Sequence, residues 1–129
     1  MDKSQALNTF WNSFGIPAID EQSAYDEGVL EQLNITYPYI TYETAVDFLD
    51  GPVAIGADLW YKSTSWAEIS RKADEIGAYI GLGGRVIRYD GGGVWITRGA
   101  SFYRRMPEET GNDNIRRIHI NIQAEFLSA

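Results

Sequence analysis

Residues 53–80 read VAIGADLWYKSTSWAEISRKADEIGAYI, and this stretch decides the fold. In its first part Val53, Ile55, Ala57, Leu59 and Tyr61 alternate with Ala54, Gly56, Asp58, Trp60 and Lys62. A period of two predicts a strand with one more apolar face. After the polar hinge Ser63-Thr64-Ser65, the residues Trp66, Ile69, Ala73, Ile76 and Ile80 recur at spacings of three and four. That spacing predicts a helix with a single apolar stripe. Ser65 and Glu68 have capping-box spacing and mark its start, and Gly81, followed by Gly83 and Gly84, marks its end. A strand feeding so directly into a helix implies that the helix packs back on the sheet.

Working outward, residues 37–48 predict a preceding strand. Ile40, Tyr42, Thr44, Val46 and Phe48 lie on one face, with Tyr39, Thr41, Glu43, Ala45 and Asp47 on the other. Leu49-Asp50-Gly51-Pro52 carries an Asp-Gly turn signal, so this strand and the Val53 strand form an antiparallel hairpin. Upstream, Leu7, Phe10, Trp11 and Phe14 share one face of a short helix capped by Ser4 and stopped by Gly15. Residues 17–38 show no clean period and read as an acidic surface loop, with a helical turn between Asp26 and Leu33. Downstream, residues 85–89 and 94–98 form a second hairpin around the loose loop Asp90-Gly91-Gly92-Gly93. Residues 100–114 read as irregular. In the last strand Ile118, Ile120, Ile122, Ala124 and Phe126 alternate with Arg117, His119, Asn121, Gln123 and Glu125, one side buried and the other wet. The expected fold is α+β: one domain over residues 1–129, in the order α-β-β-α-β-β-β, with helices on one face of a mostly antiparallel sheet.

Composition bounds the function. The 129 residues suit one core, and 44% hydrophobic with 22% charged residues is globular. A net charge of -7 argues against general nucleic-acid binding, which needs cations against phosphate. The absence of Cys rules out disulfides and thiolate chemistry. No apolar run approaches the ~20 residues of a membrane span, and Met1-Asp2-Lys3-Ser4 does not open a signal peptide. The expectation is a protein made and kept in the cytoplasm, without membrane contact.

Catalytic chemistry is hard to find. His119, the only histidine, stands on a wet strand face without metal-ligand spacing and reads as a surface or interface residue. The two glycine clusters follow a helix and join two strands, which is the wrong context for a phosphate loop. Glu43, Asp47 and Asp58 are candidates for paired carboxylates, and Asp58 for an inward acid on the second face, but acids on a wet strand are the common case. Arg98, Arg104, Arg105, Arg116 and Arg117 cluster late in the chain, with Phe102, Tyr103 and Met106 among them. Arg, aromatic residues and Met are enriched at protein interfaces. An acidic first half facing this basic region suits head-to-tail pairing of identical subunits. The interface candidates are Arg98, Phe102, Tyr103, Arg104, Arg105 and Met106 on one side, and Asp20, Glu21, Asp26 and Glu27 on the other. No catalytic, cofactor-binding or metal-ligating residue is expected.

An N-terminal helix is followed by Pro38-Tyr39-Ile40-Thr41-Tyr42, then Ala57-Asp58-Leu59-Trp60-Tyr61 running into the amphipathic helix. Gly93-Val94-Trp95-Ile96 and Asp113-Asn114-Ile115-Arg116-Arg117 come later, the last leading into the final strand. In order and length this resembles the tail-terminator or tail-completion proteins of long-tailed bacteriophages, also described as minor capsid or head-tail joining proteins. The resemblance implies an α+β subunit in a hexameric ring that caps the tail tube, halts polymerisation of the major tail protein and joins the head through a head-completion or neck protein. It implies a virion protein assembled in the host bacterial cytoplasm, without cofactor or catalysis. DNA would pass through the ring, and an acidic lumen would keep it from sticking. Two other readings stand beside it: a head-closure or adaptor component of the neck, and a small ligand-binding domain or enzyme.

Overall fold

The computed structural model describes residues 2–44, 51–106 and 114–128. The chain runs α1 (Lys3–Trp11), a 3-10 turn (Asn12–Phe14), β1 (Ala18–Asp20), α2 (Glu21–Ala24), α3 (Val29–Gln32), β2 (Tyr39–Tyr42), β3 (Val53–Lys62), α4 (Ala67–Ile80), β4 (Arg85–Tyr89), β5 (Gly92–Met106) and β6 (Ile115–Ser128). The strands form one six-stranded sheet in the order β1-β2-β3-β6-β5-β4. Every neighbouring pair is antiparallel except β1 with β2. The α+β expectation therefore holds, with α1 and α4 sharing one face of the sheet.

That face is the core. Ile55, Ala57 and Leu59 of β3 meet Ile122, Ile120 and Ile118 of β6, and all six are buried. The α4 stripe Ile69, Ala73, Ile76 and Ile80 covers them together with Leu7, Phe10 and Trp11 of α1. Each fully buried Leu, Ile or Phe contributes ~1.5–3 kcal/mol relative to an exposed one. The helices meet through Phe10 and Phe14, whose rings lie 6.1 and 5.3 Å from Tyr79. Lys72 Nζ donates to the Phe14 carbonyl at 2.7 Å and closes the seam. Helix α1 also touches both edge strands, β1 and β4, so it bridges the two ends of the curled sheet.

The structure corrects several boundaries. Asp2, not Ser4, caps α1: its carboxylate accepts from Gln5 N–H while the Gln5 side chain accepts from Asp2 N–H, a reciprocal pair that Ser4 does not form. Helix α4 starts one residue later than the Ser65–Glu68 box requires. Trp66 is its N-cap without a side-chain bond, and Ser65 Oγ accepts from Ala67 N–H instead. The acidic segment 17–38 contains β1 and two short helices; three residues are too few to display a period, and β1 exists through its pairing with β2. Helix α3 matches the helical turn expected before Leu33. The glycine loop of the second hairpin is a two-residue Asp90-Gly91 turn, because Tyr89 pairs with Gly92 and Gly91 has φ 88°. Residues 100–106, read as irregular, continue β5. A register shift between Arg98 and Tyr103 hides the alternation. The expected turn at residues 49–52 and the positions of Ala45, Val46, Asp47 and Phe48 fall partly or wholly outside the described residues. The β2–β3 antiparallel pairing is present.

Candidate functional site

The face opposite α1 and α4, free of both, carries the organised polar chemistry. Residues paired across the strands project to the same side, so the register alone builds rows. One row runs Ile19–Thr41–Asp58–His119–Arg104 and the next Tyr39–Trp60–Arg117–Met106. Asp58 is the centre, only 4% exposed although it stands on the face expected to be wet. Its Oδ1 accepts from Arg117 Nε at 3.0 Å and lies 3.0 Å from His119 Nδ1. A carboxylate only accepts, so in this contact Nδ1 carries the proton. Trp60 sits between Tyr39, stacked at 6.3 Å, and the Arg117 guanidinium, 4.9 Å from its ring centre. Its indole N–H donates to Thr41 Oγ1 at 3.0 Å. Buried charge is tolerable here because each group is paired.

Gly56 leaves room for this arrangement. A Cβ there would lie 2.7 Å from Glu43 Oε1, 2.7 Å from His119 Cε1 and 3.0 Å from His119 Nε2. The far edge of the imidazole and the Glu43 carboxylate therefore converge over the glycine. Glu21 completes the cluster. Its pKa is raised, first by burial and then by the Glu43 and Asp58 charges, with His119 and Arg117 opposing. His119 thus has the orienting partner that its own sequence neighbourhood lacks. Asp58 and His119 form two parts of an acid-base device, but among the described residues no hydroxyl is hydrogen-bonded to the imidazole, as a hydrolytic site would require. Among the described residues no group of three or more His, Asp or Glu is arranged to hold a metal ion. A surface groove of about 780 Å3 lies elsewhere, lined by Ser4, Gln5, Asn8, Thr9, Asp20, Tyr42 and Thr44.

The interface candidates divide by what their side chains already do. Phe102 packs on α4, its Cε2 3.0 Å from where a Cβ on Gly77 would stand, and the Tyr103 hydroxyl donates to Asp74 at 2.9 Å. Arg105 lies 4.9 Å from the ring centre of Trp66, with Arg116 at 5.3 Å. Asp20 caps α2 by accepting from the Ser23 N–H and hydroxyl. These side chains hold their own subunit together. Arg104 and Met106 project onto the polar face beside His119 and Arg117. Arg98, Asp26 and Glu27 are exposed, and none of them has an ion-pair partner among the described residues. Glu21 belongs to the Asp58 cluster.

Asp58, His119 and Arg117 are not recognisable as one unit in the sequence, because 61 residues separate Asp58 from His119. The available signal was the shared parity of both residues on the polar sides of the two strongest strands. No protein-family model matches the chain, and no curated protein or solved structure matches it. No helix among the described residues is long and apolar enough to cross a membrane.

Proposed function

We propose that this chain is a structural virion protein that closes into a ring, most simply a hexamer, at the end of a long-tailed phage's tail tube. There it stops polymerisation of the major tail protein and presents the surface that a head-completion or neck protein engages. It works without a cofactor and without catalysis, and DNA passes through the ring. The observation that carries the reading is charge separation along one sheet. Lys3 is the only Lys or Arg before Lys62, so the β1–β2 end is almost purely acidic. Arg85, Arg88, Arg98, Arg104 and Arg105 lie on β4 and β5 at the other end. Exposed Asp26, Glu27 and Glu31 at one end, and Arg88, Arg98 and Arg104 at the other, have no ion-pair partner among the described residues. Opposite charges at opposite ends of a strand order are satisfied by a neighbouring copy in a heterologous, ring-forming contact. The order of elements adds the resemblance to tail-terminator proteins.

A neck adaptor or head-closure component would use the same surfaces and is distinguished by its position in the particle. The Asp58–His119 pair favours, as a second reading, a small enzyme, which would act as a monomer or dimer around a bound small molecule. Light scattering with negative-stain imaging separates the two. Closed rings in solution or on tube ends are the expected result. A monomer at every concentration, both alone and with tail tubes, overturns the ring reading.

A further inference from the structure

The charged surfaces surround apolar groups that the subunit leaves uncovered. Val86 pairs with Trp95, and Gly93 with Leu127, so Val86, Trp95 and Leu127 share the face of β4, β5 and β6 opposite α1 and α4. They are 54%, 40% and 41% exposed. Gly93, itself buried, lets Val86 lie close over the sheet, with Val86 Cγ1 within 3.2 Å of where a Cβ would be. Trp95 is fixed before any partner arrives, since its indole N–H donates to the Gly83 carbonyl at 3.0 Å. A rigid exposed tryptophan in an apolar patch is the kind of group that dominates interface energetics. Arg88 stands beside Gly93 on this face, whereas Arg85 lies on the other face, its Nε donating to the Tyr79 carbonyl at 2.7 Å. Glu125 lies next to Trp95 on the inner side.

The chain itself offers a complement. Tyr25 and Leu33 are 72% and 58% exposed in the α2–α3 segment, beside Asp26, Glu27 and Glu31. This segment follows β1, the edge strand at the other end of the sheet order. We propose that Tyr25 and Leu33 of one copy seat on the Val86–Trp95–Leu127 patch of the next, with a flanking acid paired to Arg88. The proposal rests on the reading that copies assemble. It gives the seam between them an apolar centre and a charged rim, the ordinary anatomy of a specific interface. Both halves occur on every copy, so the contact repeats head to tail.

The chain contains no Cys, so an introduced pair is unambiguous. Under mild oxidation a Tyr25→Cys, Val86→Cys double variant is expected to give a covalent ladder extending past the dimer on a non-reducing gel. Either single variant is expected to give none. Separately, Trp95→Ala and Val86→Asp, both at exposed positions and checked for folding by circular dichroism, are expected to weaken assembly at least ~30-fold, the equivalent of a hot spot of about 2 kcal/mol. If the wild type forms rings while the double variant does not cross-link and the two substitutions leave assembly unchanged, this seam is wrong and the ring reading survives. Covalent dimers without a ladder mean a two-fold contact and overturn the head-to-tail seam. A wild type that never associates overturns both.

Discussion

Strands β3 and β6 have two faces built on opposite principles. On one, Ile55, Ala57 and Leu59 oppose Ile122, Ile120 and Ile118, all buried beneath α1 and α4. On the other, one residue along, Gly56 and Asp58 oppose Asn121 and His119, and the contacts are directional and charged. The apolar face is held by area removed from water, which tolerates exchange of one aliphatic residue for another of similar volume. The polar face is held by pairing, which fails when a single partner is lost. A small sheet can therefore bury both sides and still expose an organised set of charges. Where such a set is half paired inside the subunit and half unpaired outside it, the unpaired half is available for a neighbour.

The adjacent residues Leu59 and Asp58 test this contrast directly. Leu59→Ala removes a fully buried side chain beneath α4, and urea unfolding is expected to show a loss of about 2–5 kcal/mol. Asp58→Ala leaves Arg117 and His119 without their shared acceptor. Their side chains are 27% and 21% exposed, so water takes over part of what Asp58 supplied. The expected loss is smaller, about 1–3 kcal/mol, with Asp58→Asn milder because its amide oxygen still accepts. Equal losses at the two positions would erase the distinction between the faces. A loss near zero for Asp58→Ala would make the row ordinary surface.

The apolar face was legible in the sequence because its signal is local. Alternation in residues 53–62 and 115–126, and the stripe from Ile69 to Ile80, each lie within one element, and periodicity reports such burial directly. The polar row was not legible because register created it. Nothing near Asp58 in the chain says that His119 and Arg117 will lie across from it, and shifting β6 by one residue would turn both away. Strand β1 escaped for the same reason, since its stability comes from β2. The end of β5 escaped because a bulge broke the pattern between Arg98 and Tyr103. Among the interface candidates, Arg98, Asp26 and Glu27 are exposed, as charged residue types suggest. Residue type could not reveal that Phe102 and Arg105 were already committed to Gly77 and Trp66.

The smallest expected effect concerns protons rather than contacts, and it sharpens the contrast at the margin of the polar face. The Tyr39 phenol is pushed up to about 12, chiefly by burial, then by the charge and hydrogen bond of Tyr37 and by Tyr25. Tyr42, one position past Thr41 and on the apolar face, is also raised, by burial first, while its bond from Asn8 opposes the shift. For an acid whose folded pKa is raised, the folded chain keeps a proton that the unfolded chain releases. Its contribution is complete below the unfolded value of 10.0 and is lost as pH climbs through about 12. Stability should therefore fall with pH across that interval. Tyr39→Phe should reduce the slope by about one proton at most without changing stability's pH dependence near neutrality. Urea unfolding at a series of alkaline pH values measures the slope. An unchanged slope would mean that Tyr39 is as hydrated as an unfolded tyrosine, and that the polar face is wet right up to the edge of Trp60.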